Sequence, residues 1–385
     1  MAATASTPQQ LRHTNMGAVL AVMRRSTAVT GTDLIEATGL ARATVIAVCD
    51  DLINAGWVRE LPAQRTAVQK GRPARVFEFD ARAGVVVGLD FGVAKATALV
   101  ADLRGAVLGK ATESFGGFVE PVAKRLATID RAIRAALAAA GVGAEAVLVA
   151  GIGIAAPVDR NGNIPHSQRF WEHFDIGIRE ELRGRHGWPV LLGNDADLAS
   201  MAEHWMGVGA GVDDLAVMLA GERIGFGLIE SGRLLRGASG RAGEVGQLDL
   251  VEGVGTPDGI AHLARALAVT DMAAPKDVTA EAVFSAAARG DAAAGQVLER
   301  IARRMARVIA LLATFTDPEL VVIGGAVAQS AAVLLGPLGD ELAKFMPTPP
   351  RVAVSTLGDA IVTLGAVRLA LDYVEQNVLE LVPLR

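Results

Sequence analysis

The sequence predicts an α/β protein in which an N-terminal winged helix-turn-helix precedes a larger, two-lobed α/β body. Three observations support this prediction. Near the N-terminus, two helix-forming segments are joined by a short turn at Gly39. A strand-turn-strand pattern that begins near residue 84 recurs near residue 213. The composition is 51% hydrophobic but only 4% aromatic, which favours an aliphatic α/β core. We therefore divide the 385 residues into a head, residues 1–83, and a body, residues 84–385.

Charge and cysteine content narrow the class of protein. The net charge of −5 argues against a chain that binds polyanions over its whole surface. Residues 1–83 contain ten Lys and Arg against seven Asp and Glu, a net +3, and the remainder is −8. We therefore expect nucleic-acid contacts in the head, although scattered surface charge would also explain this small surplus. Cys49 is the only cysteine, which excludes an intrachain disulfide and a cysteine-rich zinc site and fits a reducing cytoplasm.

Neither secretion nor membrane insertion is expected from the sequence. The start MAATASTPQQ has no basic region followed by an apolar stretch and a cleavage site. The longest apolar run, residues 146–158, is too short to span a bilayer and contains Gly and Pro. It predicts a buried strand and the loop that follows.

The head contains the pattern of a helix-turn-helix. Residues 11–25 have apolar side chains at helical spacing and predict a first helix. The segment TGTDLIEATGL predicts a short second helix that is capped by Thr32 and ends at Gly39. The segment ARATVIAVCDDLINAGW predicts a longer third helix that ends at Gly56. Helix, tight turn and helix in this order are the architecture of a DNA-binding helix-turn-helix.

The next segment, WVRELPAQRTAVQKGRPARVFEFD, predicts a wing. It alternates apolar and polar residues at both ends and is basic and irregular in the middle. The start of the third helix would enter the major groove, and the wing would reach the backbone or the minor groove. The predicted DNA contacts are Arg42, Thr44, Gln69, Lys70 and Arg72. A dimerisation or protein-binding module is the alternative, which the ordered combination of helix cap, turn glycine and GRP-tipped wing disfavours.

The body shows an internal repeat. The segment GVVVGLDFGVAKATALVADLRGAVLGKATESF predicts three consecutive strands, and DDLAVMLAGERIGFGLIESGRLLRGASG repeats the pattern. Two such starts, each followed by helices and further strands, predict two lobes with a ligand cleft between them. Helices are expected at residues 121–140, 196–206, 292–315 and 360–376, and buried strands at residues 148–154, 190–192 and 320–323.

An ordered set of segments resembles the ROK family, named for repressors, open reading frames and kinases. The set begins with the winged helix and its GRP wing. It continues through GLDFGVAKATALVADLRG, GIGIAAPVDRNGNI, WPVLLGNDADLASMAEHW, RAGEVGQLDL, DPELVVIGGAV and GDAIVTLGA. Each segment is a weak pattern alone, but the order is specific. The resemblance implies an actin-like, sugar-kinase-type (RNase H-like) fold, a hexose or related sugar in the cleft, and a homodimer or homotetramer.

The resemblance also implies which residues contact the sugar. Asp195 in GNDAD matches the carboxylate that kinase members use as general base, because the sugar hydroxyl must lose a proton as it attacks ATP. Asn194 and Glu244 match residues that bind the sugar. An Asn-Asp pair after a strand is also a common helix N-cap, and this alternative stays open.

Both turns that hold phosphates in kinase members differ here. The first turn is GVAK, residues 92–95, in place of Gly-Gly-Thr, and the second is GER, residues 221–223, in place of Gly-Thr-Gly. A carboxylate that faces a triphosphate is repulsive, so we expect no kinase activity and a vestigial Asp195. Lys95 and Arg223 are expected to pair with Glu222, to bind the phosphate of an effector, or to be exposed loop cations.

Family members commonly hold a structural zinc ion through a His and three Cys after the sugar-binding Glu. Here Gln247 stands at the His position, and the region through Gly259 has no cysteine. We therefore predict no metal and no other cofactor, and a loop held by packing. Gln247 remains a candidate ligand contact because of its position, and so does His173, in a loop that could line the cleft.

These features predict a repressor of carbohydrate metabolism. In this hypothesis a kinase-like body binds a sugar or related metabolite and changes the affinity of the head for operator DNA. Its partners would be operator DNA, the effector and further copies of the chain. One alternative is an active ATP-dependent sugar kinase with an attached DNA-binding domain, which Asp195 supports. The other is a scaffold that uses the head for protein contacts.

Overall fold

A computed structural model of the chain describes residues 8–62, 74–117, 120–165, 169–378 and 380–381. These residues form helices and three separate sheets, which confirms the predicted α/β class. The division proposed between residues 83 and 84 lies in the turn between the last strand of the first sheet and the first strand of the second.

In its described residues the head consists of three helices and a small antiparallel sheet. The elements are α1 (Pro8–Arg25), β1 (Val29–Thr30), α2 (Gly31–Thr38), α3 (Arg42–Asn54), β2 (Val58–Leu61) and β3 (Val76–Phe79). The sheet order is β1-β3-β2. Helices α2 and α3 form the predicted helix-turn-helix, and β2 and β3 are the predicted wing strands, while the wing tip lies outside the described residues. Strand β1 was not predicted.

The cap of α2 corrects the sequence prediction. Thr30, not Thr32, precedes the helix: its hydroxyl accepts the N–H of Asp33 at 3.2 Å, and the Asp33 carboxylate accepts the N–H of Thr30 at 2.7 Å. This reciprocal pair is a capping box, which satisfies two backbone donors at once, and Thr32 cannot form it because it already lies inside the helix. Gly39 closes α2 in the left-handed conformation at φ 68°, as predicted.

The first lobe of the body is a five-stranded mixed sheet with helices. Its elements are β4 (Val85–Phe91), β5 (Lys95–Asp102), β6 (Val107–Ser114), α4 (Val122–Ala140), β7 (Val147–Ile154), α5 (Arg169–Glu172), α6 (Ile178–His186), β8 (Val190–Asn194) and α7 (Asp195–Met206). The strand order is β6-β5-β4-β7-β8. Strand β7 is buried along its whole length, as expected for the longest apolar run. None of the helices in the described ranges has the length and apolar character needed to cross a membrane.

The second lobe repeats the topology of the first. Its elements are β9 (Leu215–Ala220), β10 (Ile224–Glu230), β11 (Arg233–Leu234), α8 (Ile260–Asp271), α9 (Ala280–Ala288), α10 (Ala292–Thr316), β12 (Leu320–Gly324), α11 (Leu335–Phe345), β13 (Arg351–Val354) and α12 (Ile361–Gln376). The order β11-β10-β9-β12-β13 is the order of the first sheet, strand for strand. This correspondence is the internal repeat that the sequence predicted.

Helices α7 and α12 link the two lobes. Each follows the last strand of one lobe and packs on the other: α7 lies against β9 and β10, and α12 lies against β4 and β7. The two helices also pack on each other. The close crossing requires glycine at 365, since a Cβ there would overlap the carbonyl oxygen of Leu198. The lobes therefore share a helix pair at their centre, and a change in the angle between them must involve this pair.

Candidate functional site

The candidate ligand site lies where strands β4, β7 and β8 end. These strands are parallel, and Phe91, Ile154 and Asn194 lie side by side across them. The carboxyl ends of parallel strands meet at one edge of a sheet. As a result Asp90, which precedes the last residue of β4, faces the same edge as Asp195 at the start of α7. The two carboxyl groups, far apart in the chain, are close enough that the charge of Asp90 raises the pKa of Asp195.

Asn194 is the N-cap of α7 and also contacts the second lobe. Its Oδ1 accepts the N–H groups of Ala196 at 2.9 Å and Asp197 at 3.1 Å, which is the cap geometry that the alternative interpretation predicted. Its Nδ2 donates to the carbonyl of Ala156 at 3.2 Å and lies 3.5 Å from Oε1 of Glu244. Asn194 therefore joins the sheet edge of the first lobe to Glu244 of the second.

The pKa of the Asp195 carboxyl group is far above the usual value for aspartate. Burial, and next the neighbouring Asp90 carboxyl, raise the pKa of Asp195 to about 8; Glu244 and Asp197 add to this, while the N–H of Ala196 opposes it. That N–H donates to Oδ1 at 2.8 Å. A pKa near neutrality is suited to a general base, and the protonated form can donate a hydrogen bond to a ligand oxygen.

Two further carboxylates complete the cluster, and sequence reasoning did not single them out. Burial raises the pKa of Asp90 to about 6, against the opposing charge of Lys95. Burial also raises the pKa of Asp197 to about 7, against the opposing charge of Arg236. The position of Asp90 at the end of a strand that would pair in parallel was the available signal. Asp197 was visible only as the second acidic residue of GNDAD.

Glu244 is half-buried and balanced by two cations. Burial raises its pKa, and Arg223 and Arg241 lower it. We call Asp90, Asp195, Asp197 and Glu244 the carboxyl cluster. Because it mixes acceptors with protonated carboxyls and nearby cations, it offers both donors and acceptors to a polyhydroxylated ligand.

The other two predicted ligand contacts, Gln247 and His173, lie in turns. Gln247 is exposed, and its side chain makes no hydrogen bond to the described residues. His173 is half-buried, and its carbonyl accepts Nη1 of Arg125 at 2.6 Å. The Arg125 guanidinium is 4.7 Å from the ring centre of Phe91. Arg125 thus fixes the backbone at His173 against the end of β4.

Protein groups occupy the turn of residues 221–223, which corresponds to the second phosphate-binding turn of kinase members. Glu222 pairs with Arg265, whose Nη2 lies 2.8 and 2.6 Å from its two oxygens. Among the described residues no ion pair joins Glu222 to Lys95 or Arg223, and both cations are exposed, which is another of the alternatives given for them. Arg223 instead lies 5.7 Å from the ring centre of Phe170.

Two backbone N–H groups in the first turn of α8 also bond to the turn of residues 221–223. The N–H groups of Ala261 and His262 point to the carbonyl of Gly221, at 3.1 and 3.3 Å. A helix N-terminus attracts phosphate through unsatisfied N–H groups, and these two already have an acceptor. Together with the Glu222 carboxylate, this arrangement opposes a triphosphate at the turn.

The candidate DNA surface is the start of α3. Arg42 is exposed and Thr44 half-buried, and the exposed face continues through Ala43, Ile46 and Ala47. Ile46, 39% exposed, was not predicted; an apolar side chain here suits contact with a thymine methyl group. The remaining predicted contacts, Gln69, Lys70 and Arg72, lie outside the described residues.

The carboxylates at the far end of α3 are paired within the head. Asp50 lies 2.7 Å from Arg75, and Asp51 lies 2.8 Å from Arg12. Their charge is therefore partly compensated, which lowers the repulsion that a DNA backbone would meet.

The head is attached to the body through two arginines that sequence reasoning missed. Arg24 of α1 pairs with Glu375 of α12 and donates to the carbonyl of Leu103 at 2.6 Å. Arg104 of the body donates to the carbonyls of Arg24 at 2.7 Å and Ser26 at 2.8 Å. We call Arg24, Arg104 and Glu375 the latch.

Further contacts surround the latch. The ring of Phe79 lies between the two latch arginines, 5.9 and 5.6 Å from their guanidinium carbons. His13 Nε2 lies 2.8 Å from the carbonyl of Gln376. On α12, Arg368 lies 2.6 Å from Glu375 and 5.6 Å from the ring centre of Trp205 on α7. The latch therefore reaches both helices that link the lobes.

Comparisons with known proteins agree with this architecture. A glucokinase of Halalkalibacterium halodurans is 31% identical over 249 residues, which cover 56% of this chain and 74% of that protein. A xylose repressor of Caldicellulosiruptor bescii is 23% identical over 393 residues and covers 94% of this chain and 96% of its own. The crystal structure of a ROK family transcriptional regulator, a homologue of the E. coli MLC protein, shares the fold with a TM-score of 0.77. It is 20% identical and covers 96% of this chain and 98% of its own.

Residues 86–373 match the ROK family, which is most of the body and three quarters of the chain. The match spans both copies of the repeat and the whole carboxyl cluster. The expectation drawn from the ordered motifs is thus confirmed, and the chain belongs to the ROK family.

Proposed function

We propose that this protein is a DNA-binding transcription regulator of carbohydrate metabolism, of the repressor kind, whose body binds a sugar or related metabolite. The observation that carries the proposal is the path of α12. This helix packs on β4, which carries Asp90, and on α7, which starts at Asp195. Near its other end it holds the head through Glu375. One element therefore contacts both the candidate ligand site and the candidate DNA-binding unit.

The path suggests how the two sites communicate. At 1.5 Å per residue, the 16 residues of α12 extend about 24 Å. A ligand that changes the separation of Glu244 and Asn194, which lie 3.5 Å apart, would change the contact between α7 and α12. Because α12 holds Arg24, the orientation of the head would follow. Coupling of this kind needs only a ligand that binds the two lobe arrangements with different affinity.

The DNA end of the proposal rests on the exposed start of α3 and the paired wing strands. A single helix-turn-helix covers one half-site, and two heads of a symmetric assembly would cover a palindromic operator. We propose a homodimer or homotetramer on this ground. The xylose repressor, which matches along nearly the whole chain including the head, supports the assignment to regulators.

The ligand end rests on Asn194, Asp195 and Glu244, with His173 and Gln247 on the bordering loops. Polar groups that converge on a cleft fix the orientation of a small polar ligand, and sugars present hydroxyls that suit carboxyl and amide partners. Loss of phosphotransfer is proposed because Glu222 and its partner Arg265 occupy the second phosphate turn. No metal or other cofactor is part of the proposal.

An active sugar kinase is the second candidate. Two observations favour it: the near-neutral pKa of Asp195, raised to about 8 by burial, and the 31% identity to a glucokinase. A coupled assay of ATP turnover with a panel of hexoses and amino sugars separates the candidates. The regulator proposal expects no turnover above that of Asp195→Asn. Turnover that Asp195→Asn abolishes would establish the kinase.

DNA binding is tested with the full chain. Duplexes are selected from a random pool, and their affinity is measured by fluorescence anisotropy at moderate salt. Arg42→Ala is expected to weaken binding about tenfold, since a base or phosphate contact by arginine contributes about 1–3 kcal/mol. Arg351→Ala removes the same charge from β13 of the second lobe and should leave affinity unchanged. Failure to select any duplex over random DNA would refute the assignment.

A further inference from the structure

The segment between the carboxyl cluster and α8, residues 247–259, links two parts of the ligand site. It follows Glu244 and runs through a short helical turn at Leu248–Leu250. It then pairs with the turn of residues 221–223 through the backbone. The N–H of Ile224 donates to the carbonyl of Pro257, and the N–H of Gly259 donates to the backbone carbonyl of Glu222, both at 2.9 Å. We call this segment the 247–259 loop. Any group that holds it also positions Glu244 on one side and the turn of residues 221–223 on the other.

Two arginines of α10 hold this loop by its backbone. Arg307 Nη1 donates to the carbonyl of Glu252 at 3.0 Å. Arg304 Nη2 donates to the carbonyl of Thr256 and lies 3.9 Å from the carboxylate of Asp258. Three residues apart on a helix, the two arginines share a face, and both contacts are charge-assisted, which makes them stronger than ordinary hydrogen bonds.

The geometry shows that the guanidinium groups reach into the loop rather than lie along the surface. The Nε atoms of both arginines are buried, with no hydrogen-bond partner among the described residues. Gly253 has a φ of +76°, and a Cβ at this position would overlap Nη1 of Arg307. The loop backbone therefore closes directly around the Arg307 head group.

The residues present do not fit the zinc ion that the family resemblance implies for this loop. Zinc needs about four nitrogen or sulfur ligands, and residues 247–259 contain neither His nor Cys. Within the described ranges, no group of three or more His, Cys, Asp or Glu is arranged to hold a metal. Two fixed positive charges at the loop backbone would also repel a cation.

We infer that Arg304 and Arg307 are positioning residues that support the 247–259 loop in place of the zinc ion implied by the family resemblance. They hold the loop against α10 and thereby position Glu244 and the turn of residues 221–223. We call these contacts of the two arginines the clip. A zinc ion would hold the loop through ligands within it, whereas here two guanidinium groups from α10 hold the loop from outside. The ligand site is consequently insensitive to zinc and to chelators.

Hydrogen–deuterium exchange of the full chain, without DNA or sugar, tests this clip independently of the proposed function. Arg307→Met keeps a long apolar side chain but removes the donors, together with the guanidinium group that lies 5.8 Å from the ring centre of Phe345. It should speed amide exchange in residues 248–258 about tenfold, as expected for loss of a hydrogen bond to a charged group. Arg304→Met should act mainly on residues 254–258. Arg307→Lys restores one charged donor and should restore most of the protection.

The matched control is Arg303→Met. This neighbour on α10 is 56% exposed and lies 3.7 Å from Glu341, away from the loop, so exchange in the loop should not change. Loop exchange in Arg307→Met equal to that in Arg303→Met would overturn the inference. So would failure of Lys to restore protection that Met removes, since packing rather than donors would then be responsible.

Metal analysis of the wild-type chain needs no variant and holds even if a substitution prevents folding. After incubation with zinc chloride and desalting, zinc well below one ion per chain is expected, and EDTA should leave loop exchange unchanged. One zinc per chain, together with faster loop exchange in EDTA, would refute the clip.

Discussion

The ionisation of Asp195 makes a quantitative prediction for stability against pH. The unfolded side chain ionises near 3.8, whereas burial and the neighbouring Asp90 raise the pKa in the folded protein to about 8. Between these pH values the folded chain keeps a proton that the unfolded chain has lost. The free energy of unfolding therefore falls as the pH rises from about 4 to about 8 and then levels off.

Asp195→Asn removes this penalty, because asparagine is neutral at every pH. Each pH unit between the two pKa values corresponds to about 1.4 kcal/mol, which sets a ceiling of about 6 kcal/mol. Asparagine accepts the N–H of Ala196 more weakly than a carboxylate does, which lowers the expected gain at pH 8.5 to about 3 kcal/mol. At pH 5, only about 1.2 pH units above the unfolded pKa of 3.8, the gain should be about 4 kcal/mol smaller than at pH 8.5, so the variant should be no more stable than the wild type.

Thermal unfolding of both proteins at pH 5 and pH 8.5 measures the effect. A gain of about 3 kcal/mol raises the apparent Tm at pH 8.5 by roughly 4 °C for a chain of this size. Asp340→Asn, at an exposed carboxylate on α11, is the control and should show no such pH dependence. A variant that is less stable than the wild type at pH 8.5, or equally shifted at both pH values, would refute the account of the carboxyl cluster.

Three further predictions follow from the packing of the head and the linking helices. Arg24→Met should break the latch, so that DNA affinity measured by anisotropy persists while its response to sugar disappears; a retained response would argue against transmission through α12. Gly365→Ala should lower the apparent Tm because its Cβ overlaps Leu198. Its control, Gly336→Ala on α11, has open space and should raise the Tm slightly. Burial raises the pKa of Cys49 to about 11, so iodoacetamide at pH 8 should leave the native thiol unmodified and label it only in denaturant; rapid native labelling would show that the head core opens.

Local patterns in the sequence were sufficient for most of the architecture. The apolar periodicity of residues 292–315 and 360–376 predicted α10 and α12 within a residue or two at each end. The repeated strand pattern predicted both lobes, because a hairpin followed by a third strand is encoded over a short stretch of chain. Helices α6, α8, α9 and α11, which are 9 to 12 residues long, were missed although their apolar faces are as regular as that of α12.

Contacts between residues that are far apart in the chain could not be predicted from the sequence. Arg24 and Glu375 are 351 residues apart, and neither position has a local pattern that marks the other. The same holds for Arg307 and the 247–259 loop, where the sequence predicted packing alone. Asp90 could have been recognised from strand order, but only after the parallel pairing of β4 and β7 had been assumed.

The candidate site was recovered from the sequence only through resemblance. Asn194 alone is explained by its role as a helix cap, and the structure shows this role. What distinguishes the pair from an ordinary cap is the approach of Glu244 and Asp90, which raises the pKa of Asp195 together with burial. This is a property of tertiary structure, because desolvation and charge–charge repulsion depend on distance in space.

In the proposed mechanism, sugar binding in the body controls the affinity of the head for DNA. The most direct test measures the affinity of the full chain for its selected duplex, with and without a sugar that raises the apparent Tm by binding the native state. The sugar is expected to weaken DNA binding at least tenfold, a coupling of about 1.4 kcal/mol. Unchanged DNA affinity in the presence of a sugar that demonstrably binds would contradict it.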